Sequence, residues 1–97
     1  MPTPDLSRDA RTFIERLQHK HAKQVLLKIL DLCQDPAPPD SSLLKDCKEG
    51  YRRADIGEYR TIYRVAGDTL EVPLVGKRND DEVYRRFARR GAPKHIR

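Results

Sequence analysis

The sequence is poor in several things that narrow its function. It has two cysteines, Cys33 and Cys47, among 97 residues. Two isolated thiols make neither a disulfide framework nor a four-ligand zinc site, and they read as reduced structural residues. Of its three histidines, His19 and His21 are two apart, which turns them to different sides of a helix, and no acidic or thiol partner stands at ligand spacing. No metal or cofactor is expected. Its longest aliphatic stretch, around Val25-Leu26-Leu27, falls far short of the roughly 20 apolar residues that span a bilayer. The start, Met1-Pro2-Thr3-Pro4-Asp5, has neither the basic residues nor the apolar run of a secretory signal, so a cytoplasmic protein with no membrane partner is expected. No P-loop, dinucleotide-binding glycine motif or nucleophile elbow occurs.

What the chain has is charge. Charged residues make up 36% of it, against about 25% in an average soluble domain, and the formal net charge is +5. A chain this short buries only about 60 to 65% of its unfolded surface, which suits one thin domain with a single layer of helices on one sheet. Residues 1–75 hold 12 basic and 12 acidic side chains, whereas residues 76–97 hold eight basic against three acidic, so the whole excess lies at the C-terminal end. A field concentrated in this way attracts polyanions, and nucleic acid is the first partner class it suggests, ahead of an acidic protein.

Periodicity organises the rest. Residues 1–6 are too short and proline-rich for more than a short or irregular strand. Ser7 caps a helix in which Ala10, Phe13, Ile14 and Leu17 share a face, running to about Gln18. After a polar break at His19-Lys20-His21, a stripe of Val25, Leu26, Ile29, Leu30 and Cys33 marks a second helix ending before Asp35-Pro36, so 7–35 reads as a helical hairpin. The proline-rich stretch 36–42 is then a stiff loop. From residue 48 to 75 the period changes to two. Gly50 to Asp55 is a weak strand, and Tyr59, Thr61, Tyr63 and Val65 alternate with Arg60, Ile62 and Arg64 in a stronger one. Ala66-Gly67-Asp68 turns the chain into a third strand whose Leu70, Val72 and Leu74 repeat the alternation. Pro73 lacks the N–H a central strand needs, so it demands an edge or a bulge. Asn79, Glu82, the terminal arginines and Gly91 delimit a short last helix over 80–90 with a mobile tail at 91–97. Its apolar stripe is only Val83, Phe87 and Tyr84, which predicts weak docking.

The expected architecture is therefore α+β: an N-terminal helical hairpin packed on a small, mostly antiparallel twisted sheet, with a short C-terminal helix. The side chains able to do chemistry are a concentration of arginine and tyrosine: Tyr51, Arg52, Arg53, Tyr59, Arg60, Tyr63, Arg64, Lys77, Arg78 and Tyr84. Arginine offers a fixed fork of donors that matches phosphate, and tyrosine can stack on a base or move a proton. RNA cleavage by attack of the 2′-hydroxyl needs only activation of that hydroxyl, stabilisation of the phosphorane and protonation of the leaving 5′-oxygen, all within reach of such groups. Each has a duller role too. Tyr63, sharing a face with Thr61 and Val65, reads as core, Arg64 as a solvated strand residue, and Arg60 could pair with Glu58 or Asp55.

The run from Gly50 through Tyr51-Arg52-Arg53-Ala54-Asp55-Ile56-Gly57-Glu58-Tyr59-Arg60-Thr61-Ile62 to Tyr63, with Val75-Gly76-Lys77-Arg78 and Glu82-Val83-Tyr84, resembles the RelE branch of the RelE/ParE toxin superfamily. The resemblance extends over roughly Leu6 to Arg90. It implies a type II toxin that cuts mRNA in the ribosomal A site without a metal and is held inactive by a cognate antitoxin, meeting DNA only indirectly through that antitoxin. Carried over by position, Arg60 and Arg78 match phosphate-contacting arginines, and Tyr84 matches a tyrosine that stacks on the base or takes the 2′-hydroxyl proton. Arg52 falls where the family has the first of two lysines and Ala54 where it has the second. The loop beyond is one residue shorter, and a one-residue slip exchanges the faces of a strand, placing Arg53 in the groove instead. The implied catalytic set is Arg52, Arg60, Arg78 and Tyr84, with Arg53, Lys77, Arg85 and Arg89 binding mRNA or ribosomal RNA. Two other readings stay open: a ParE-like gyrase inhibitor on the same fold, and a non-catalytic basic RNA-binding module.

Overall fold

The computed structural model describes residues 1–45, 47–79 and 83–89. Strand β1 (Thr3–Leu6) leads into helices α1 (Arg8–Glu15) and α2 (His19–Gln34), followed by β2 (Ser41–Leu43), β3 (Arg52–Ile56), β4 (Tyr59–Ala66) and β5 (Thr69–Lys77). A last helix, α3, covers residues 83–89. The expected ends of that helix at 80–82 and 90, and the tail at 91–97, lie outside the described residues. The five strands form one sheet in the order β1-β5-β4-β3-β2. Only β1 and β5 run parallel, so the sheet is mostly antiparallel, as the sequence implies.

The helical hairpin covers one face. Its core joins Ala10 and Ile14 of α1 and Val25, Ile29, Leu32 and Cys33 of α2 to Ala54, Ile56, Tyr59, Tyr63, Leu70, Val72 and Val75 of the sheet. Ser7 starts α1 by accepting the Ala10 N–H at 3.0 Å, the expected cap. Two readings of α2 need correction. The helix begins at His19, so the polar triplet 19–21 is its first turn and the break falls at residues 16–18. Its inward stripe is Val25, Ile29, Leu32 and Cys33, while Leu26, Leu27 and Leu30 are exposed. Val25, Ile29 and Cys33 of the expected stripe are in the core; Leu26 and Leu30 fall outside it and Leu32 takes their place, because apolar residues occupy two sides of this helix. The loop at 36–42 also hides an edge strand: Ser41 pairs with Ala54 and Leu43 with Arg52.

Pro73 sits in β5 between two neighbours, and the sheet accommodates it by a bulge. Ile62 pairs with Leu74 and Arg64 with Glu71, so Tyr63 alone faces Val72 and Pro73. On the other side β1 ends opposite Val72, and the Ser7 hydroxyl takes the Pro73 carbonyl at 2.6 Å. The bulge reverses the parity of β5. Leu70 and Val72 face the hairpin, but Leu74 faces the opposite side, where it joins Tyr51, Ile62 and Val83 in a second cluster. The simple alternation of Leu70, Val72 and Leu74 is thus broken by the residue that cannot donate. The β3–β4 turn is two residues long, with Gly57 at φ 56°, a left-handed conformation that disfavours a side chain.

Candidate active site on the open sheet face

The face away from the hairpin carries the polar side chains. In β3, Ala54 and Ile56 point into the hairpin core, so Arg53 and Asp55 point the other way. In β4, Tyr59, Thr61 and Tyr63 are buried toward the hairpin, which leaves Arg60, Ile62 and Arg64 on the open face. Helix α3 lies across this face. Val83 is fully buried in the second cluster, and the Phe87 ring meets Tyr51 edge-on at 4.9 Å between centroids. Besides this apolar contact, which is as small as the sequence implies, Arg86 is paired with Asp9 on α1.

Tyr84 projects from α3 to the strands and gathers the cations. Its hydroxyl oxygen accepts from Nη1 of Arg60 at 2.7 Å and from Nη1 of Arg53 at 3.4 Å. The Arg60 guanidinium also stands 5.7 Å from the Tyr84 ring centroid. Two N–H groups converging on one oxygen leave the phenolic proton to point elsewhere, outward from the cluster. The other edge of Arg60 is held by Asp55, the residue opposite it in the ladder, with Nε to Oδ1 at 2.6 Å and Nη2 to Oδ2 at 3.2 Å. This pairing keeps the Asp55 carboxyl below the usual carboxylate range against the opposing effect of burial, and the charges of Arg78 and Arg53 act in the same direction. It likewise raises Arg60, which stays a cation throughout the accessible pH range. Arg53 is steadied from the edge strand, where its Nε donates to the Ser42 hydroxyl at 3.1 Å. A shallow hollow of about 240 Å³ opens beside it, lined by Pro39, Asp40, Ser41, Ser42, Arg53 and Asp55.

Arg78 lies just beyond β5 on the exposed rim. Its N–H bonds the Glu58 carbonyl at 2.9 Å and its Nη1 reaches the Gly57 carbonyl at 3.4 Å, which pins the β3–β4 turn to the end of β5. The structure therefore brings Arg53, Arg60 and Tyr84 together, with Arg78 near Asp55. It does not bring Arg52 to them. Arg52 shares the parity of Ala54 and Ile56, and its Nε and Nη2 donate to the Ser41 hydroxyl at 3.2 and 3.0 Å, with the sheet between it and Tyr84. Of the two neighbouring arginines, Arg53 is the one on the open face. Lys77 pairs with Tyr59 and so falls on the hairpin side of the sheet, exposed. Arg85 and Arg89 are exposed on α3.

Another arginine, Arg64, lies apart from the cluster. Arg64 pairs with Glu71 at 2.8 Å and stacks 4.8 Å from the Tyr51 centroid, which makes it a half-buried structural residue rather than a solvated one. Tyr63 is core as expected, with no exposure and its hydroxyl on the Pro36 carbonyl at 2.6 Å. Sequence reasoning missed Ser42 and Arg86. The first had no visible signal because β2 itself is hidden among prolines; the second was one arginine among many. Among the described residues no group of His, Cys, Asp or Glu is placed to hold a metal ion, and no helix is long and apolar enough to cross a membrane.

A helical hairpin thus covers one side of the five-stranded sheet, and an arginine–tyrosine face under a short helix lies on the other. The model of the ParE toxin of type II toxin-antitoxin systems matches residues 5–82, and the chain belongs to this family. Solved structures share the fold. The chain is similar to the toxin-antitoxin complex RelBE2 of Mycobacterium tuberculosis, with a TM-score of 0.69 and 24% identity over 79% of this chain and 98% of that one. The isolated E. coli RelE toxin gives a TM-score of 0.69 at 20% identity, over 93% and 98% of the two chains. The archaeal RelE–RelB complex of Pyrococcus horikoshii gives 0.69 at 20% identity, over 79% and 94%. At such identities the likeness is one of fold. No curated protein matches the sequence significantly.

Proposed function

We propose that this toxin is a ribosome-dependent endoribonuclease that cuts mRNA in the A site by attack of the 2′-oxygen on the adjacent phosphorus, without a metal. The observation that carries the reading is the convergence of the Arg60 and Arg53 Nη1 groups on a single oxygen, that of Tyr84. A phosphoryl oxygen brought beside that hydroxyl can take N–H groups from the same two guanidinium groups, already oriented by Asp55 and Ser42. In the reaction the 2′-hydroxyl gives up its proton as its oxygen bonds to phosphorus, the bond to the 5′-oxygen breaks, that oxygen takes a proton from water, and the products are a 2′,3′-cyclic phosphate and a 5′-hydroxyl. Arg53 and Arg60 stabilise the charge on the phosphorane, and Arg78, on the exposed rim, adds to it from outside. Tyr84 orients or deprotonates the 2′-hydroxyl, and the half-buried ring can take a base against its face. Arg85 and Arg89 on the outside of α3, and Lys77 on the far side, are proposed to meet ribosomal RNA rather than the scissile group.

The partners follow from this reading. A cationic face of this kind requires an acidic or amphipathic antitoxin to cover it, as the solved RelE–RelB complexes contain one, and contact with DNA would come through that antitoxin. Action on ribosomes places the protein in the cytoplasm. Primer extension on a defined mRNA, with and without programmed ribosomes, tests the function: cuts within A-site codons that require ribosomes support it, and intact mRNA in both lanes refutes it.

A second reading has its own support, since the matching family model is that of the ParE toxin. In that case the arginine face binds without cutting and the target is gyrase. Inhibition of supercoiling with intact mRNA would establish it.

A further inference from the structure

Helix α3 meets the sheet through the buried Val83 and the partly buried Tyr84 and Phe87, a small apolar contact to which Arg86 adds a polar one. Arg86 sits two residues beyond Tyr84, with its side chain only 17% exposed. Strand β1 stops opposite Val72, so the edge of β5 beyond that point has no neighbouring strand. Arg86 passes through this opening. Its Nη2 donates to the Val75 carbonyl at 3.3 Å and is paired with the Asp9 carboxylate in the first turn of α1, on the opposite layer. Its guanidinium stands 5.9 Å from the Phe13 ring centroid. Gly76 makes the passage close: a Cβ there would lie 3.4 Å from Arg86 Nη1 and 3.1 Å from Val83 Cβ.

We propose that Arg86 is a positioning residue, tying α3 to Asp9 across the open end of β5 and thereby setting where the Tyr84 hydroxyl stands against Arg60 and Arg53. A charge-assisted pair, a carbonyl and an aromatic face act on one guanidinium from three directions, and such a group is locked in orientation as well as in distance. The consequence is that hairpin and site are mechanically joined by a contact that touches neither RNA nor the reacting atoms. The inference on catalysis rests on the reading of the open face as a nuclease site; the inference on docking does not.

The test uses the full chain with Arg86→Ala, Arg86→Lys and Asp9→Asn, read in two ways. Hydrogen exchange of the amides of residues 83–89, in the absence of ribosomes, should accelerate at least tenfold in Arg86→Ala and less in Asp9→Asn. On programmed ribosomes kcat should fall about 10- to 100-fold in Arg86→Ala, the scale of a small misplacement of a reacting group, with KM nearly constant. Tyr84→Phe added to Arg86→Ala should cost much less than in the wild type, because the hydroxyl is already out of place. Unchanged exchange in 83–89 overturns the tie whatever the enzyme does. Faster exchange with unchanged kcat overturns the positioning role. If Arg86→Ala does not fold, Asp9→Asn and Arg86→Lys carry the same test. A wild type that leaves mRNA intact refutes the nuclease reading, while exchange still decides the tie.

Discussion

The parity of β3 makes a sharp prediction, because neighbouring arginines on opposite faces should behave oppositely. Arg53→Ala removes one of the two donors that reach the Tyr84 oxygen and also the contact to Ser42. A preorganised donor in a catalytic site is worth about 2.7 to 4 kcal/mol, but this one is 3.4 Å away and half-buried, so a hydrogen bond to a charged group, about 1.5 to 3 kcal/mol, is the better scale. The cleavage rate should therefore fall roughly 10- to 150-fold. Arg52→Ala removes only bonds to the Ser41 hydroxyl at the sheet edge, which water can replace, so its effect on the barrier should stay within about 0.5 kcal/mol. Single-turnover cleavage of a defined codon on programmed ribosomes, with circular dichroism to confirm folding, measures both. If Arg52→Ala proved the more damaging of the two, the register of β3 and the site built on it would be wrong.

Other variants examine the support around the site. Tyr63→Phe loses a buried bond to Pro36 and should lower stability by about 1 to 1.5 kcal/mol in thermal or urea unfolding, with cleavage unchanged. Gly76→Ala places a methyl 3.1 Å from Val83 Cβ, so α3 must give by a few tenths of an ångström, and the change should appear first as faster exchange in residues 83–89 rather than as global unfolding. Asp55 has a folded-state pKa below its unfolded value, so its contribution to stability is complete above the ordinary carboxylate range and is lost as pH falls through the folded value. Unfolding midpoints measured from pH 7 down to pH 2 should show a shallower acid decline in Asp55→Asn than in the wild type.

Much of this was legible in the chain. The Ser7 cap, the helical hairpin, the β4 alternation and the demand that Pro73 places on β5 all come from local rules of spacing and backbone chemistry, and the bulge at 72–73 is one of the two outcomes those rules allow. What was not legible depends on parity and on surplus. A bulge reverses the faces beyond it, so Leu74 could not be assigned to a side from alternation alone. On α2 the leucines outnumber the positions available in the core, so the pattern offered two stripes where the fold uses one. In the site, the family resemblance points to Arg60 and Tyr84, and the sequence offers Asp55 as a partner for Arg60. The choice between Arg52 and Arg53 required the length of the β3–β4 turn and the neighbours of Ala54. Arg86 required the three-dimensional fact that β1 ends short of β5.

The central claim is that this face directs a 2′-oxygen onto phosphorus. The most direct test is an mRNA with one 2′-deoxynucleotide at the scissile position of the A-site codon, compared on programmed ribosomes with the unmodified message. The unmodified message should be cut to a 2′,3′-cyclic phosphate and a 5′-hydroxyl, and the deoxy message should stay intact at that position. Equal cleavage of both messages, or a 5′-phosphate on the product, would contradict the claim.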